Sequence, residues 1–160
     1  MPNRKRNWFG EKIKSDGYTF DSKKEEAFYR NFVKNSGYQF EVHKSFMLHP
    51  IIDFLDGRLR LRSSNYTPDF VLYDETGELK HVIDVKTGFN MQYNIDPAAA
   101  LRFKLFALQY KHPVEVVVPN LKSFRVKIVG TTKKFNPTTM SSLDYDLEDL
   151  ISNKEKSMER

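Results

Sequence analysis

"YTPDFVLYDETGELKHVIDVKTG", residues 66–88, reads as two strands around a turn. The runs "DFVLY" and "KHVIDVK" are β-branched and aromatic, and "DETGE" between them is turn-like, which is the pattern of a hairpin. Asp69 opens the first run, while Asp84 and Lys86 close the second. Charge inside apolar runs is costly unless something pairs with it. If Thr76 and Gly77 form a two-residue loop, glycine supplies the positive φ such a turn needs, and Asp69 falls opposite Asp84. Opposed Cβ atoms lie roughly 5 Å apart, so the two carboxylates repel unless a cation stands between them. Lys86 leaves the same face as Asp84, and Ile83 and Val85 point to the other. A one-residue slip in the loop would put the aspartates on opposite faces.

Two carboxylates with no neighbouring His or Cys form a hard oxygen site, which suits Mg²⁺, with Mn²⁺ as a substitute. Such an ion polarises a phosphodiester and acidifies a bound water. Lys86 would orient that water or neutralise charge developing on phosphate oxygens. The chemistry indicated is metal-assisted phosphodiester hydrolysis. The same residues also describe an Asp84–Lys86 ion pair with Asp69 capping a strand end after Pro68, and the pattern alone leaves both readings open.

Outward from the hairpin, Ser22 opens a helix, "SKKEEAFYRNFVKNSG", with Phe28, Tyr29, Phe32 and Val33 on its apolar face and Gly37 after its end. Ser22 and Glu25 have the spacing of a capping box. Glu25 also lies three, four and seven residues before Phe28, Tyr29 and Phe32, on the core side, whereas Glu26 is turned away by about 100°. "YQFEVHKSFML" reads as a strand and "IIDFLDG" as a turn-rich excursion. "RLRLR" alternates as a half-buried strand, with Leu59 and Leu61 on one face and Arg58, Arg60 and Arg62 on the other. After the hairpin, Asp96-Pro97 starts a helix through "AAALRFKLFALQYK". "VEVVV" is a buried strand and "FRVKIVG" a more exposed one. Ser141 or Ser142 is expected to cap a short C-terminal helix, with "NKEKSMER" frayed beyond it. The whole is an α/β domain with a mixed central sheet flanked by helices. Its divisions are a basic arm over 1–20, the domain over 21–130, and an acidic extension over 131–160, partly helical or disordered.

At 160 residues the chain suffices for one compact core. It has no Cys, which excludes disulfides and thiolate metal sites. No apolar run reaches membrane-spanning length and no signal-peptide core opens the chain, so a cytoplasmic location is expected. The net charge is +5, with Arg4, Lys5, Arg6, Lys12 and Lys14 near the start and "SSLDYDLEDL" acidic near the end. That balance fits a polyanionic partner such as nucleic acid and equally a solvated surface.

The "PDF…IDVK" pattern, with its strand-hairpin setting, resembles the PD-(D/E)xK nucleases over about residues 20–120. The likeness is nearest to small phage-type endonucleases, including junction-resolving ones, which show a Ser-x-x-Glu helix start, "YTPDF", then acid-x-Lys-Gly. The chain departs from them in having Thr87 before Gly88, and Asp84 where many have Glu. The resemblance implies a restriction-endonuclease-like αβββαβ core and a Mg²⁺-dependent DNA endonuclease, phage-encoded and working in the host cytoplasm. Branched DNA, such as a Holliday junction, is the implied substrate. It implies Glu25, Asp69, Asp84 and Lys86 as catalytic residues, with Glu25, Asp69, Asp84 and the Val85 main chain on the metal. Symmetric cutting of two strands needs two sites, hence a homodimer. Restriction, nicking and transposon-end endonucleases share this chemistry, and a non-catalytic DNA-binding module or a basic structural protein are the other classes.

Arg58, Arg60, Arg62, Arg102 and Lys104 are the expected nucleic-acid contacts, with Lys104 the choice near the metal; the arginine strand also reads as a charge-guarded edge. Gln39 resembles a polar residue of the family and reads equally as surface. Trp8 and Phe9 would anchor the arm to a partner or cover the core edge. His43, His49, His81 and His112 show no metal spacing and read as incidental.

Overall fold

The structure, a computed structural model, describes residues 11–91, 94–133 and 136–151. β1 (Ile13–Ser15) and β2 (Tyr18–Phe20) form a hairpin turning through Asp16 and Gly17, both at positive φ. Ser22 caps α1 (Lys23–Phe28) by accepting the Glu25 N–H at 3.1 Å, and the helix continues as a π-helix over Tyr29–Val33. Then come β3 (Gln39–Val42), β4 (Phe46–His49), β5 (Ile52–Phe54), β6 (Leu59–Leu61) and β7 (Ser64–Tyr66). β8 (Phe70–Tyr73) and β9 (Leu79–Val85) are the hairpin read from sequence. Asp96 caps α2 (Pro97–Tyr110) through the Ala99 N–H at 2.7 Å, with Pro97 in the first turn. β10 (Glu115–Pro119), β11 (Phe124–Ile128) and β12 (Thr138–Met140) follow.

Six strands make the central sheet in the order β12-β11-β10-β9-β8-β3. A short turn makes β8 and β9 antiparallel, β3 runs antiparallel to β8 across the long β4–β7 excursion, and the α2 crossover makes β10 parallel to β9. The expected mixed sheet in an α/β domain is therefore present.

Strand alternation gives the sheet two apolar faces. Phe70, Leu72, Ile83, Val117 and Phe124 pack under Phe28, Phe32 and Val33 of the first helix. Val71, Val82 and Val116 pack on the other face against Phe103 and Phe106 of α2 and Phe46 and Tyr66 of the β4–β7 ribbon. Ring contacts such as Phe32–Phe124 at 4.9 Å and Phe46–Phe106 at 5.0 Å are edge-on, the favourable aromatic geometry. Among the described residues no helix is long and apolar enough to cross a membrane.

Several expectations need correction. The loop of the β8–β9 hairpin is longer than two residues: Asp74 donates to the Glu78 carbonyl at 2.9 Å, leaving Glu75, Thr76 and Gly77 between them. That longer loop shifts the pairing by one. An irregularity then places Tyr73 opposite Leu79 but Leu72 opposite His81, so Lys80 is extra and the shift is undone. Phe70 faces Ile83 where the ladder begins, and Asp69, just before it, also gives its N–H to the Ile83 carbonyl at 2.9 Å, so the expected opposition of Asp69 and Asp84 is replaced by an irregular start in which the Asp69 side chain reaches the Val85 N–H.

"YQFEVHKSFML" is two strands, not one, broken at His43, which has φ 53°. "RLRLR" is a strand, but Leu59 and Leu61 are exposed along with the arginines, because β5 and β6 form a projecting hairpin with no sheet against it. Residues 11–20 and 136–151, read as an arm and an extension, belong to the core: Phe20, Leu143, Tyr145 and Leu150 are buried in it. The C-terminal helical turn covers 147–151 and starts at Asp146, whose N–H donates to Asp149 Oδ2 at 2.8 Å, rather than at Ser141 or Ser142. Trp8, Phe9, the first basic cluster and the frayed tail lie outside the described residues.

Candidate functional site

A cleft of about 390 Å³ opens at the C-terminal end of β9. Three elements meet there for reasons already legible in the chain. The Ser22 cap points the first turn of α1, with Glu25, toward the sheet. The β8–β9 register brings Asp69 beside Asp84, Val85 and Lys86. The Asp96-Pro97 start sets α2 across the opening with Arg102 facing in.

Asp69 Oδ2 accepts the Val85 N–H at 2.6 Å, which fixes that carboxylate against β9. Asp84 is buried on the α2 face; its Oδ2 accepts the Tyr66 hydroxyl at 2.9 Å. Lys86 Nζ lies 2.7 Å from Asp84 Oδ1, an ion pair at hydrogen-bonding distance. Glu25 is buried as well. Its Oε2 accepts the Asp21 N–H at 3.2 Å, and its Oε1 is 2.5 Å from His43 Nε2.

The electrostatics follow from this crowding. Burial, then the charges of Asp84 and Glu25, push the Asp69 carboxyl well above the usual range, against the pull of the Val85 N–H and Lys86. Burial also raises Glu25, although His43 opposes it. Burial works against the Lys86 ammonium, but Asp84 and Asp69 outweigh it and its pKa rises. Tyr66 stays a neutral donor, held well above its ordinary value by burial and by Asp84. A carboxyl raised by the charges of neighbouring acids, as Asp69 is, marks a place where added positive charge is favourable.

The donor set fits a hard divalent ion. It offers carboxylate oxygens from Asp69, Asp84 and Glu25, and the Val85 main chain lines the same cleft. The crowding of these acids, which raises Asp69 through the charges of Asp84 and Glu25, is the observation that favours such an ion.

Of the other expected residues, Arg102 lines the cleft and is exposed. Lys104 does not. Two residues along a helix is a turn of about 200°, and its side chain lies against Gly130, where a Cβ would meet Lys104 Cε at 2.8 Å. Of these two basic residues of α2, Arg102 and not Lys104 is the one at the cleft. Arg58, Arg60 and Arg62 sit on the projecting β5–β6 hairpin and none lines the cleft. Arg60 is paired with Asp53 at 2.6 Å and Arg58 donates to the Leu55 carbonyl at 3.1 Å. Gln39 is an exposed residue of β3 outside the cleft.

Sequence reasoning missed Tyr66, Asp21 and above all His43, which is not incidental. The available signal was the polar "HKS" interrupting the apolar alternation of "QFEV" and "FML". His81 is not incidental either. It is buried, with Nδ1 3.0 Å from Glu115 Oε2 and Nε2 2.8 Å from the Leu143 carbonyl, and Tyr145 donates to Glu115 at 2.7 Å.

The chain belongs to a protein family described as a protein of unknown function, DUF1064, whose model matches residues 5–124. That match spans the first helix, the hairpin, α2 and β10. No curated protein and no solved structure matches the chain.

Proposed function

We propose that this member of the family is a metal-dependent endonuclease built on a restriction-endonuclease-like core. The observation that carries the reading is the convergence of Glu25, Asp69, Asp84 and Lys86 in one cleft, three carboxylates around one ammonium. The topology supports it. A helix, an antiparallel β3–β8–β9 meander, a crossover helix and a strand parallel to the last of the three reproduce the αβββαβ order.

When bound, Mg²⁺ supplies Lewis-acid polarisation of a phosphate and a more acidic water. Asp69, Asp84 and Glu25, with the Val85 carbonyl, are the residues that would hold it. Lys86, kept cationic by Asp84 and Asp69, orients the attacking water or meets charge developing on the phosphate. Arg102, exposed at the rim, grips a flanking phosphate. Hydrolysis forms one phosphorus–oxygen bond to water and breaks one to the sugar. The substrate proposed is DNA, branched by resemblance, cut by a homodimer in the cytoplasm of a phage-infected host.

One observation favours a second reading. Lys86 contacts Asp84 and Asp69 accepts the Val85 N–H, so the charges are internally paired as in a structural ion pair. The two readings separate in one assay. A labelled four-way junction and its linear duplex are incubated with wild-type protein in MgCl₂ or EDTA. Mg²⁺-dependent cuts confined to the junction support a junction-resolving nuclease. Cuts in both substrates keep the nuclease and drop the junction preference. Absence of cutting with every divalent ion leaves the ion-pair reading.

A further inference from the structure

The projecting β5–β6 hairpin is amphipathic. In its register Ile52 stands opposite Leu61 and Phe54 opposite Leu59, so these four side chains leave one face together. Asp53 stands opposite Arg60 on the other face, where the two are paired at 2.6 Å, and Arg58 and Arg62 share that face by alternation. A two-stranded ribbon is marginal in water unless its apolar side packs on something. Helix α2 carries a second apolar strip that the described residues leave uncovered. Ala99, Phe103 and Phe106 turn into the core, while Leu101, Leu105 and Leu108 recur at helical spacing on the outer side. These seven exposed apolar side chains, four on the hairpin and three on the helix, are between 37% and 67% exposed. Beside Leu108 an apolar groove of about 390 Å³ runs between α2 and the end of β11, lined by Phe103, Ala107, Val114 and Ile128.

The areas decide between possible occupants. Two hairpins laid face to face would hide on the order of 800 Å² in total, the scale of an incidental contact. A hairpin laid on α2 of a second copy, with the contact repeated by a two-fold axis, would hide on the order of 1,400 Å², within the range of a specific dimer. The lengths agree, since three strand residues and the rise from Leu101 to Leu108 both measure roughly 10 Å. The groove beside Leu108 has room for a Phe or Leu side chain, and an anchor in a pocket is where association energy concentrates. Opposite charge is at hand as well: Asp56 is exposed at the hairpin tip and Lys104 lines the groove. Nucleic acid suits this apolar face less well, because the arginines leave on the opposite side.

We propose that the β5–β6 hairpin is a docking arm whose apolar face seats on the Leu101–Leu105–Leu108 strip of a second copy of this chain, each copy giving an arm and receiving one. The homodimer of the nuclease reading thereby acquires a surface, but self-association is measured without DNA or metal and stands or falls separately.

The test is sedimentation equilibrium of the full chain, wild type beside Phe54→Glu and Leu105→Glu, each shown to be folded by circular dichroism. It is joined by crosslinking of Leu59→Cys and Leu105→Cys with a short bismaleimide, each alone and the two mixed. The substituted positions are exposed and the chain has no Cys of its own. Wild type is expected to dimerise in the micromolar range, and each Glu variant to weaken association at least about 10-fold. Covalent dimers are expected in the mixture and not with either Cys variant alone. Covalent dimers from Leu59→Cys alone, with none in the mixture, overturn arm-on-helix docking. A wild type that stays monomeric across the micromolar range overturns it too, and if Phe54→Glu then binds a four-way junction more weakly, the arm belongs to DNA. Dimers crosslinked in the mixture that cut no DNA with any divalent ion keep the arm and remove the nuclease reading. Mg²⁺-dependent cutting by a monomeric wild type does the reverse.

Discussion

The Asp69 carboxylate accepts the Val85 main-chain N–H at 2.6 Å, so the acid before β8 is fastened to the strand that carries Asp84 and Lys86. The contact holds two like charges together that would otherwise separate. Asn at position 69 can still accept that N–H but carries no charge. Asp69→Asn is therefore expected to raise metal-free stability, by on the order of 1 kcal/mol, while abolishing the stabilisation conferred by Mg²⁺. Urea unfolding with and without MgCl₂ measures both. A variant that is destabilised without metal, yet still stabilised by Mg²⁺, contradicts the repulsion argument.

Tyr66 packs its ring between Phe103 and Phe106 at 5.6 and 5.7 Å and donates its hydroxyl to Asp84 at 2.9 Å. Tyr66→Phe keeps the ring and removes the donor from a buried acid, at a cost of about 1–3 kcal/mol. An ion on Asp84 would replace part of what is lost. The destabilisation is thus expected to shrink in MgCl₂, and thermal melts of the variant in MgCl₂ and in EDTA check this. An equal loss in both conditions would place the ion elsewhere.

The His81–Glu115–Tyr145 group ties the C-terminal segment to the sheet, far from the chemistry in role. Glu115 is fully buried and His81 nearly so. Glu115→Ala leaves the imidazole and the Tyr145 hydroxyl without their shared acceptor, and the expected loss is about 3–5 kcal/mol. Because none of these residues lines the cleft, the rise in melting temperature on adding Mg²⁺ should persist in whatever fraction remains folded.

Alkaline pH gives a further check. Burial and the Asp16 carboxylate, which accepts the Tyr29 hydroxyl at 3.0 Å, push the Tyr29 pKa up to about 12 from its ordinary 10. Between those values the unfolded chain releases the phenolic proton and the folded chain keeps it. The folded state then binds more protons, so stability falls as pH rises through this window. Tyr29→Phe should be less stable than wild type at neutral pH and should show a shallower decline between pH 10 and 12 in urea titrations.

The elements that depend on local pattern were legible from the sequence. The Ser22 and Asp96 caps, the buried β10 and the β8–β9 hairpin all follow from side-chain type and spacing. What was not legible depends on cancellation or on contacts distant along the chain. The extra loop residue and the Lys80 irregularity offset each other, and no propensity rule gives both. His43 reaches Glu25 only because its backbone is left-handed, and His81 finds Glu115 and Leu143 across 34 and 62 residues. The arginine strand was misplaced because alternation signals a strand but does not say whether a second layer covers it.

The central claim is that the Glu25–Asp69–Asp84–Lys86 cleft hydrolyses phosphodiesters with a divalent ion. The most direct measurement is the single-turnover rate of cleavage of a labelled four-way junction in MgCl₂ by wild type, Asp84→Asn and Lys86→Ala, each shown to be folded by circular dichroism. The account predicts Mg²⁺-dependent cutting by wild type and a loss of at least about 100-fold in each variant. Cutting that persists in both folded variants would contradict it, as would a wild-type protein that binds the junction and leaves it intact with every divalent ion.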